Sequence, residues 1–329
     1  MAKKSDALKI GFIGSGNIAR WGHINHMSKW DDVVITAVQD VNGESAQKLA
    51  ADTGANAYTD HERMIEKEKL DAVYICLPPF AHTNQEVLCA KAGIPIFVEK
   101  PLAVTQDKAD EINAAVNKSG IVAAVGYNWR STAITRTARD LMAGRKVSAA
   151  YGFWVEGMPG VMWWRQQAQS GGQLNEQATH VVDIARHLIG GKVVSVFARG
   201  SKGICAKKAE KHDICDNIIS LFTFDSGAVV SVATGHTSPQ FYRIGIDFIL
   251  EDLTVTHTNG ELRIKTPQKE EIIKNSNKPY EEEDRAFIEA IRKKDPQGVY
   301  CTYADAFETH RVCMAANKSI ETGEVVYLK

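Results

Sequence analysis

Two short stretches of the sequence carry side chains that can move a proton or stabilise a charge near neutral pH. One contains Glu99-Lys100-Pro101, and the other contains Glu176, His180 and Asp183. A free imidazole titrates close to neutrality, and an ammonium group can stabilise a developing oxyanion. These residue types therefore indicate acid–base chemistry on a hydroxyl group. Each stretch also has a structural alternative: a salt-bridged strand end for the first and a hydrogen-bonded helix histidine for the second.

Lys100 follows a short apolar run, Ile96-Phe97-Val98, that is typical of a buried strand. Pro101 fixes its own φ angle and pushes the preceding residue, Lys100, towards an extended conformation. The sequence therefore predicts that Lys100 is held at the carboxyl end of this strand. Open α/β sheets bind their ligands at that edge.

A glycine-rich turn near the start of the chain supplies the second part of such a site. The predicted strand Leu8–Ile13 runs directly into Gly14-Ser15-Gly16-Asn17-Ile18-Ala19. In this G-x-G-x-x-A pattern, Gly14 permits the tight turn, Gly16 lets the backbone approach a pyrophosphate, and the small Ala19 allows close packing of helix on strand. A helix from about Asn17 to Met27 would point its free N–H groups, including those of Asn17 and Ile18, at the phosphates.

The next predicted strand, Val33–Val38, ends just before Asp40. A carboxylate about 20 residues after the glycine turn is well placed to bond a ribose 2′-hydroxyl. The alternative is an Asp that caps the helix beginning near Gly43. No Arg or Lys follows until Lys48, so nothing obvious would hold a 2′-phosphate, and we expect NAD rather than NADP.

Strand patterns alternate with helical patterns as far as residue 126. Asp71–Leu77 and Ile121–Val125 are typical of strands, and Gly43–Thr53 and Thr83–Ala92 of helices. This alternation predicts a doubly wound parallel sheet, a Rossmann domain of residues 1–126. One edge of this sheet would carry the candidate cofactor contacts Gly14, Asp40, Leu77, Pro78, His82, Glu99 and Lys100. Taken by itself, His82 is typical of a surface or capping histidine.

The second half of the chain, residues 127–329, is rich in strand patterns from Val193 onward. The turn signals Asp225-Ser226-Gly227 and Asn259-Gly260 predict antiparallel hairpins. We therefore expect an open, largely antiparallel sheet covered by helices on one face, an α+β substrate domain, with the last helix able to pack back on the first domain. The other sheet face could meet a second subunit, which predicts a homodimer or homotetramer.

Apolar spacing from Leu174 to Ile189 predicts one helix that carries the second chemical stretch. On such a helix Glu176 and His180 share a face, and His180 and Asp183 can orient one another. His180, Asp183 and His187 could also act as metal ligands on one helix face. Since no other residue offers a convincing further ligand, we expect no metal.

The totals of the chain limit its function class. At 329 residues two domains are expected, and 44% hydrophobic with 24% charged residues is an ordinary soluble composition. A net charge of -1 argues against nucleic-acid or acidic-membrane partners. Six scattered cysteines without a C-x-x-C pair indicate reduced thiols in the cytoplasm. Residues 1–9 are polar and predict no secretory signal, and no stretch is apolar enough to span a membrane.

Together these motifs resemble the glucose–fructose oxidoreductase, inositol dehydrogenase and rhizopine-catabolism (Gfo/Idh/MocA) family of NAD(P)-dependent oxidoreductases. The resemblance extends from Leu8 to the last helix and depends on the glycine turn, Glu99-Lys100-Pro101, and the Gly-Gly stretch that leads into Glu176, His180 and Asp183. It implies that Lys100 lies beside the nicotinamide and the reacting carbinol, and that His180 exchanges the hydroxyl proton. It also implies that Trp164 and Arg165 lie over the cofactor.

One position departs from the family pattern. Many members carry Asp four residues before the His and Gly two before it, whereas this chain has Glu176 and Ala178. The longer Glu176 could hydrogen-bond the substrate or orient Lys100, or it could mark a subgroup with other substrates.

The resulting hypothesis is an NAD-dependent dehydrogenase or reductase of a sugar, a cyclitol or a related polyol. Lys100, His180 and Glu176 are the candidate catalytic residues. Substrate contacts are also expected from the side chains of Asn128, Arg130, Trp163, Glu176, His180 and Asp183, and the faces of Trp129, Trp163 and Trp164 suit sugar C–H groups. Two alternatives remain: an NAD-dependent glycoside hydrolase that uses a transient oxidation, and a non-catalytic regulator that binds sugar and nucleotide.

Overall fold

The computed structural model of the chain describes residues 6–329. It divides the chain into two compact units that are not contiguous in sequence. Unit 1 runs to Leu102 and adds Asp107–Asn128 and Lys278–Ala306, and unit 2 contains Ala103–Gln106, Trp129–Asn277 and Phe307–Lys329. Residues 1–5, the start of the stretch in which the sequence predicts no secretory signal, lie outside the described residues.

Unit 1 is built on a six-stranded sheet in which every neighbouring pair is parallel. The strand order is β3-β2-β1-β4-β5-β6. The strands are β1 Leu8–Ile13, β2 Val33–Gln39, β3 Asn56–Tyr58, β4 Ala72–Ile75, β5 Ile96–Val98 and β6 Ala123–Val125. Between them lie a π-helix at Ile18–Ile24 and the α-helices α1 Asn25–Met27, α2 Gly43–Thr53, α3 His61–Lys67, α4 Gln85–Ala92 and α5 Gln106–Ser119. This order confirms the predicted doubly wound sheet.

The core of unit 1 explains why its central strands are continuously apolar. Every residue of β4 and β5 is buried, as expected for parallel strands covered on both faces. Phe12, Tyr74 and Phe97 stack side by side on one face, with successive ring centroids 4.9 Å apart. Phe287 packs edge-on against Phe97 at 5.6 Å. Phe287 belongs to α10, Pro279–Lys293, so a helix late in the sequence completes the first core.

Unit 2 is built on a nine-stranded sheet of order β14-β13-β12-β11-β7-β10-β9-β8-β15. Its neighbours are antiparallel except β7 and β10, which confirms the largely antiparallel prediction. The strands are β7 Val147–Val155, β8 Val193–Ser201, β9 Asn217–Phe224, β10 Val229–Gly235, β11 Arg243–Leu250, β12 Thr254–His257, β13 Glu261–Lys265, β14 Glu270–Lys274 and β15 Val326–Tyr327.

The helices of unit 2 cover one face of this sheet around an apolar core. They are α6 Ala133–Met142, α7 Gln167–Ser170, α8 Gln173–Glu176, α9 Thr179–Ile189 and α11 Tyr303–Thr322, whose first turn belongs to unit 1. Helix α9 buries Val181, Val182, Ile184 and Ala185 in the same cluster as Phe222 and Phe248 of the sheet. The covered face thereby supports the helices that carry Glu176 and His180.

Two features differ from the sequence predictions. Residues 278–306 belong with unit 1, whereas a single boundary after residue 126 was expected, because the apolar stripe of α10 packs against Tyr74 and Phe97. The predicted helix Leu174–Ile189 is two helices, α8 and α9, with Gln177 and Ala178 between them, and Gln177 has a φ of -106°. Ala178 N–H then donates to Gln173 O, five residues back, at 3.1 Å.

All six cysteines are buried and free of disulfides, as their scattered spacing predicts. No helix within residues 6–329 has the length and apolar character needed to cross a bilayer.

Candidate active site

The glycine turn lies at the carboxyl end of β1, between the ends of its neighbours β2 and β4. Gly14 N–H donates to Gln39 O at 2.8 Å, and Gly14 has a φ of +93°. A Cβ on Gly14 would lie 2.4 Å from Cys76 O, so only glycine fits there. A Cβ on Gly16 would meet no atom within 4 Å, so that side of its backbone is open. The turn thus has the closed and open sides that a pyrophosphate cradle requires.

The helix after this turn begins at Ile18, one residue later than predicted, and its first part is π-helical. Ala19 is fully buried, in agreement with its expected role in helix–strand packing. Gly16 and Asn17 are exposed. Single π-helical turns occur frequently at functional sites, because the extra residue re-aims neighbouring side chains. Here the turn carries His23 into the core of unit 1.

Asp40 lies against the glycine turn and is half-buried. Its Oδ2 accepts hydrogen bonds from Ser15 N–H at 2.9 Å and from the Ser15 hydroxyl at 2.7 Å, and its Oδ1 accepts from Asn42 N–H at 2.9 Å. The cap of α2 is Asn42, whose side chain accepts from Ser45 N–H at 3.1 Å, so Asp40 is not the helix cap. A carboxylate oxygen can accept a further hydrogen bond, so Asp40 retains capacity for a ribose hydroxyl. These residues fit a bound dinucleotide.

Two other predicted cofactor contacts follow β4. Leu77 and Pro78 are half-buried and lead into a tight turn, Pro79–Ala81. His82 is buried, and its Nδ1 pairs with the Glu86 carboxylate while its Nε2 lies 3.4 Å from Leu77 O. Both ring nitrogens of His82 therefore have protein partners, and His82 is not the surface histidine of the alternative interpretation.

Glu99 and Lys100 leave β5 at the same sheet edge as the glycine turn. Glu99 N–H donates to Ile75 O at 2.9 Å, and Gly126 N–H donates to Val98 O at 2.9 Å. The Glu99 carboxylate is buried against Gly126, where a Cβ would approach Oε1 to 2.7 Å. Lys100 is half-buried, and its peptide bond with Pro101 is cis. The strand end therefore carries one inward carboxylate and one partly accessible ammonium group.

A buried charged cluster surrounds Glu99, and the sequence predictions missed it. His23 Nε2 lies 3.1 Å from Glu99 Oε1, and His23 Nδ1 lies 2.9 Å from Asp284 Oδ1. His26 Nε2 also meets Asp284, at 2.7 Å. Burial by itself would lower the pKa of His23, but the charge of Asp284 and hydrogen bonds with Asp284 and Glu99 raise that pKa to about 10. An imidazolium thus holds the carboxylate of Glu99, the residue that directly precedes Lys100.

The neighbouring acid of α10 behaves differently. Burial, together with the charges of Glu99 and Asp284, raises the pKa of Glu283 well above its usual range. A sequence signal for this cluster existed: Glu283 and Asp284 lie on the same helical stripe as Phe287 and Ile288. Acidic residues on an apolar stripe indicate buried partners.

In unit 2, His180 lies in the first turn of α9 and is stacked against two indole rings. The ring centroid of Trp129 is 5.6 Å away with an interplanar angle of 17°, and that of Trp154 is 5.9 Å away at 19°. His180 is 8% exposed, and Glu176, at the end of α8, is 3% exposed. The two residues are thus carried by two successive helices.

The Asp183 carboxylate accepts hydrogen bonds from Arg130 and Thr309. Arg130 Nε donates to Asp183 Oδ2 at 2.7 Å, and a second guanidinium nitrogen donates to Oδ1 at 2.6 Å. The Thr309 hydroxyl also donates to Oδ1, at 2.9 Å. Both members of this bidentate pair are buried. The structure thus gives Asp183 an ion pair with Arg130, while the expected mutual orientation of His180 and Asp183 stays a prediction.

The Trp-Arg segment forms a single tight turn, Met162–Arg165. Trp163 and Trp164 are half-buried and pack edge to face, with ring centroids 5.9 Å apart. Within residues 6–329, the buried indole N–H of Trp164 has no hydrogen-bond partner. Arg165 Nε donates to Pro159 O at 2.7 Å. Asn128 is buried in unit 1, at the end of that unit's second segment.

Comparison with known proteins assigns both halves of the chain to one family. Residues 8–127 match a model described as "Oxidoreductase family, NAD-binding Rossmann fold", and residues 143–263 match the "GFO/IDH/MocA C-terminal domain". The chain is 26% identical over 335 residues to the uncharacterized oxidoreductase YrbE of Bacillus subtilis, covering 97% of this chain and 96% of that protein. It is 24% identical over 338 residues to myo-inositol 2-dehydrogenase of Thermotoga maritima, covering 98% and 99%.

Solved structures show the same fold. Levoglucosan dehydrogenase in complex with NADH and levoglucosan superposes with a TM-score of 0.84 at 22% identity, covering 98% of this chain and 99% of that one. A probable dehydrogenase from Thermotoga maritima gives a TM-score of 0.81 at 23% identity, covering 97% and 98%. The predicted fold, family and cofactor are confirmed. The chain therefore belongs to the Gfo/Idh/MocA oxidoreductase family, and its first domain is an NAD-binding Rossmann domain.

Proposed function

We propose that this oxidoreductase transfers a hydride between the nicotinamide of NAD and a secondary alcohol carbon of a sugar, a cyclitol or a related polyol. The substrate class is supported by relatives named for inositol and levoglucosan. The observation that carries the proposal lies within unit 1. Lys100 follows β5 at the same sheet edge at which the open glycine turn follows β1, so a group bound along that edge meets the ammonium.

Lys100 is proposed to stabilise the alkoxide that forms as the carbinol loses its proton. When bound, NAD supplies the hydride acceptor or donor. The ammonium is a compact charge with three donors, and a fixed cation beside a developing oxyanion lowers the barrier without reorganising at the moment of reaction. Glu99, paired with His23, anchors the backbone from which Lys100 extends.

His180 is proposed to accept the hydroxyl proton in oxidation and to return it in reduction. Stacking on Trp129 and Trp154 fixes the plane of its imidazole, so that proton transfer needs no ring reorientation. An oriented general base contributes roughly 10²–10⁴-fold to the rate. Glu176 is proposed to assist as a hydrogen-bonding partner of substrate, in place of the Asp more common in the family.

We propose binding roles for the other residues that the sequence predicts to contact the substrate or the cofactor. Asn128, Arg130, Trp163 and Asp183 are assigned to substrate, with Arg130 kept in place by its bidentate bonds to Asp183. Trp164 and Arg165 are assigned to the cofactor, since the buried Trp164 N–H offers a donor that the described residues leave unused.

Steady-state kinetics on a panel of inositols, sugars and sugar acids, with NAD and with NADP, tests the proposal. Lys100→Met and His180→Asn are each expected to reduce kcat by roughly 10²–10⁴-fold on the best substrate. Lys91→Met alters an exposed lysine of α4 and is the matched control. A wild-type kcat in Lys100→Met would remove Lys100 from the chemistry.

The amount of reduced nicotinamide formed per product distinguishes a dehydrogenase from the glycoside hydrolase alternative. A dehydrogenase forms one reduced nicotinamide per product, whereas transient oxidation during glycoside hydrolysis forms product without net NADH. Absorbance of the reduced nicotinamide, measured beside product by chromatography, distinguishes the two. A regulator would bind ligand without turning over any member of the panel.

We also propose that the chain forms a homodimer or homotetramer through the second sheet. The free, buried cysteines support a location in the cytoplasm, where thiols stay reduced. The exposed face of that sheet presents Tyr151, Ile219 and Leu221, which are 46%, 67% and 43% exposed. Tyr151 and Leu221 are both aligned with Ser231 across β7, β10 and β9. Light scattering of Leu221→Glu is expected to give a smaller mass than wild type, while Ile272→Glu, on β14 at the sheet edge, retains it.

A further inference from the structure

The loop between β8 and β9, residues 202–216, turns a distinct set of side chains inward. Most of this loop is exposed, including its lysines. Cys205, His212 and Asp216 are nevertheless buried, with exposed fractions of 1%, 8% and 1%. Three groups that can ligate a metal ion therefore lie together beneath an otherwise exposed loop, and the Cys205 thiol is hydrogen-bonded with the Asp216 carboxylate.

The three side chains meet at one point. One ligand atom from each of Cys205, His212 and Asp216 lies within 4.8 Å of the other two. His212 Nδ1 is 3.8 Å from Asp216 Oδ1, which is longer than a hydrogen bond. In a tetrahedral zinc site with bonds of 2.0 to 2.3 Å, neighbouring ligand atoms are roughly 3.3 to 3.8 Å apart. The cluster therefore needs only a small contraction to hold an ion.

The two ring nitrogens of His212 have different surroundings. Nδ1 is the nitrogen near Asp216, and an ion between the three side chains would bind it. Nε2, on the opposite side of the ring, is buried without a hydrogen-bond partner among residues 6–329, and such groups in native proteins usually mark a bound water or ion. Asp216 is meanwhile held in place, because its Oδ2 accepts from Ile204 N–H at 2.7 Å and its Oδ1 from Cys205 N–H at 3.1 Å. Such support of a ligating carboxylate is typical of metal sites.

We propose that Cys205, His212 and Asp216 bind a Zn²⁺ ion, with water in the fourth position. A thiolate, an imidazole and a carboxylate are the donor types that zinc accepts together. The two anionic ligands neutralise the ion, which suits a buried site. The thiol proton leaves to solvent when Cys205 binds.

The ion would brace a segment that carries a catalytic candidate. Gln173, the first residue of α8, donates from Nε2 to Cys215 O at 2.8 Å and to Asp216 O at 3.0 Å. Gln167 N–H donates to the Asp213 carboxylate. The loop thus holds α7 and α8, and α8 ends at Glu176. The proposed role of zinc is structural and is independent of hydride transfer.

Metal analysis of the purified full-length protein tests the site. Wild type incubated with Zn²⁺ and passed through a desalting column is expected to retain one zinc per chain, and Cys205→Ser and His212→Ala to retain none. Cys215→Ser is the matched control, because Cys215 is a buried cysteine of the same loop outside the cluster. Background zinc in wild type, or equal zinc in all four proteins, would overturn the proposal.

Cobalt titration of wild type provides a readout that does not depend on folded variants. Co²⁺ bound by a thiolate gives an intense near-ultraviolet charge-transfer band, expected in wild type and Cys215→Ser. Chelation should also lower the melting temperature and expose the loop to trypsin at Lys207, Lys208 and Lys211. The absence of the cobalt band in wild type, with a melting temperature unaffected by chelator, refutes the site whatever the catalytic assays give.

Discussion

His23 in unit 1 and His257 in unit 2 are both fully buried, yet their pKa values are shifted in opposite directions. His23 has carboxylates at both ring nitrogens, and its pKa is raised to about 10. Burial lowers the pKa of His257 to about 3, assisted by the charge of His187. Its Nε2 lies 2.7 Å from the Thr135 hydroxyl, a neutral partner. Burial alone therefore does not decide the charge of a histidine; the charge of its hydrogen-bond partners does.

The same contrast distinguishes the surroundings of the two candidate catalytic residues. Lys100 follows Glu99, which belongs to the charged cluster of His23 and Asp284. His180 stacks on Trp129, whose ring centroid is also 5.7 Å from that of His257. In the charged region, ion pairs fix the backbone next to Lys100. In the aromatic region, stacking of apolar rings fixes the imidazole of His180. Removing one member should therefore cost more in the first region than in the second.

The largest effect is expected for Asp284→Asn, which removes the main carboxylate facing His23. Breaking a buried ion pair leaves an uncompensated charge, and we expect the free energy of unfolding to fall by about 3–5 kcal/mol. Urea denaturation measures it. Glu289→Gln changes an exposed acid on the same helix and should lose less than about 1 kcal/mol. A comparable loss in both variants would show that the buried cluster is not charged.

The pH dependence of stability should have opposite signs for the two histidines. The pKa of His23 is higher in the folded state, so its contribution is complete below about pH 6.5 and disappears as pH rises to about 10. The pKa of His257 is lower in the folded state, so its contribution is complete above about pH 6.5 and is lost as pH falls towards 3.

Melting temperatures across this range measure the difference. Relative to wild type, His23→Gln should flatten the alkaline side of the stability profile, and His257→Gln the acidic side. If His23→Gln altered the acidic side instead, the cationic assignment of His23 would be wrong.

Gly126→Ala tests the charged region by displacement rather than by deletion. The new Cβ would lie 2.7 Å from Glu99 Oε1 and 2.8 Å from Glu99 Cδ, so the carboxylate must move away from His23. Overpacking of this kind lowers the free energy of unfolding by about 1–3 kcal/mol. The kcat should also fall, because Lys100 directly follows the displaced Glu99. Gly160→Ala adds a methyl group with no neighbour within 4 Å and is the control. A stable variant with normal kcat would separate Glu99 from the position of Lys100.

Features that depend on neighbouring residues could be predicted from the sequence. The turn at Gly14 after β1 and helix α2, which has its predicted bounds Gly43–Thr53, are each encoded by residues close in sequence. Lys100 at a strand end and the two hairpins of the second sheet were predictable for the same reason. The interruption between α8 and α9 was not, because apolar spacing continues on both sides of Gln177 and Ala178.

The contacts that the sequence did not predict join residues that are far apart in the chain. His23 and Asp284 are 261 residues apart, and neither belongs to a recognisable motif. The spacing predicts that Asp183 and the nearby His180 orient one another, and the structure adds a bidentate partner from 53 residues away, Arg130. Local spacing predicts which residues can meet along a helix, but a buried charge selects its partner from the whole core.

The smallest effect is expected in the aromatic region, for Trp154→Phe. The phenyl ring can still stack on Trp129 and His180, but the hydrogen bond from Trp154 Nε1 to Glu156 Oε1, 2.8 Å long, is lost. Glu156 keeps a second donor, Gln177 Nε2 at 2.9 Å, so no charge is left unpartnered and the expected loss is about 1 kcal/mol in urea denaturation. Trp154→Ala removes the ring and should cost about 3–5 kcal/mol. If Trp154→Phe cost as much as Asp284→Asn, hydrogen bonds to charge would govern both regions, and the contrast between them would not hold.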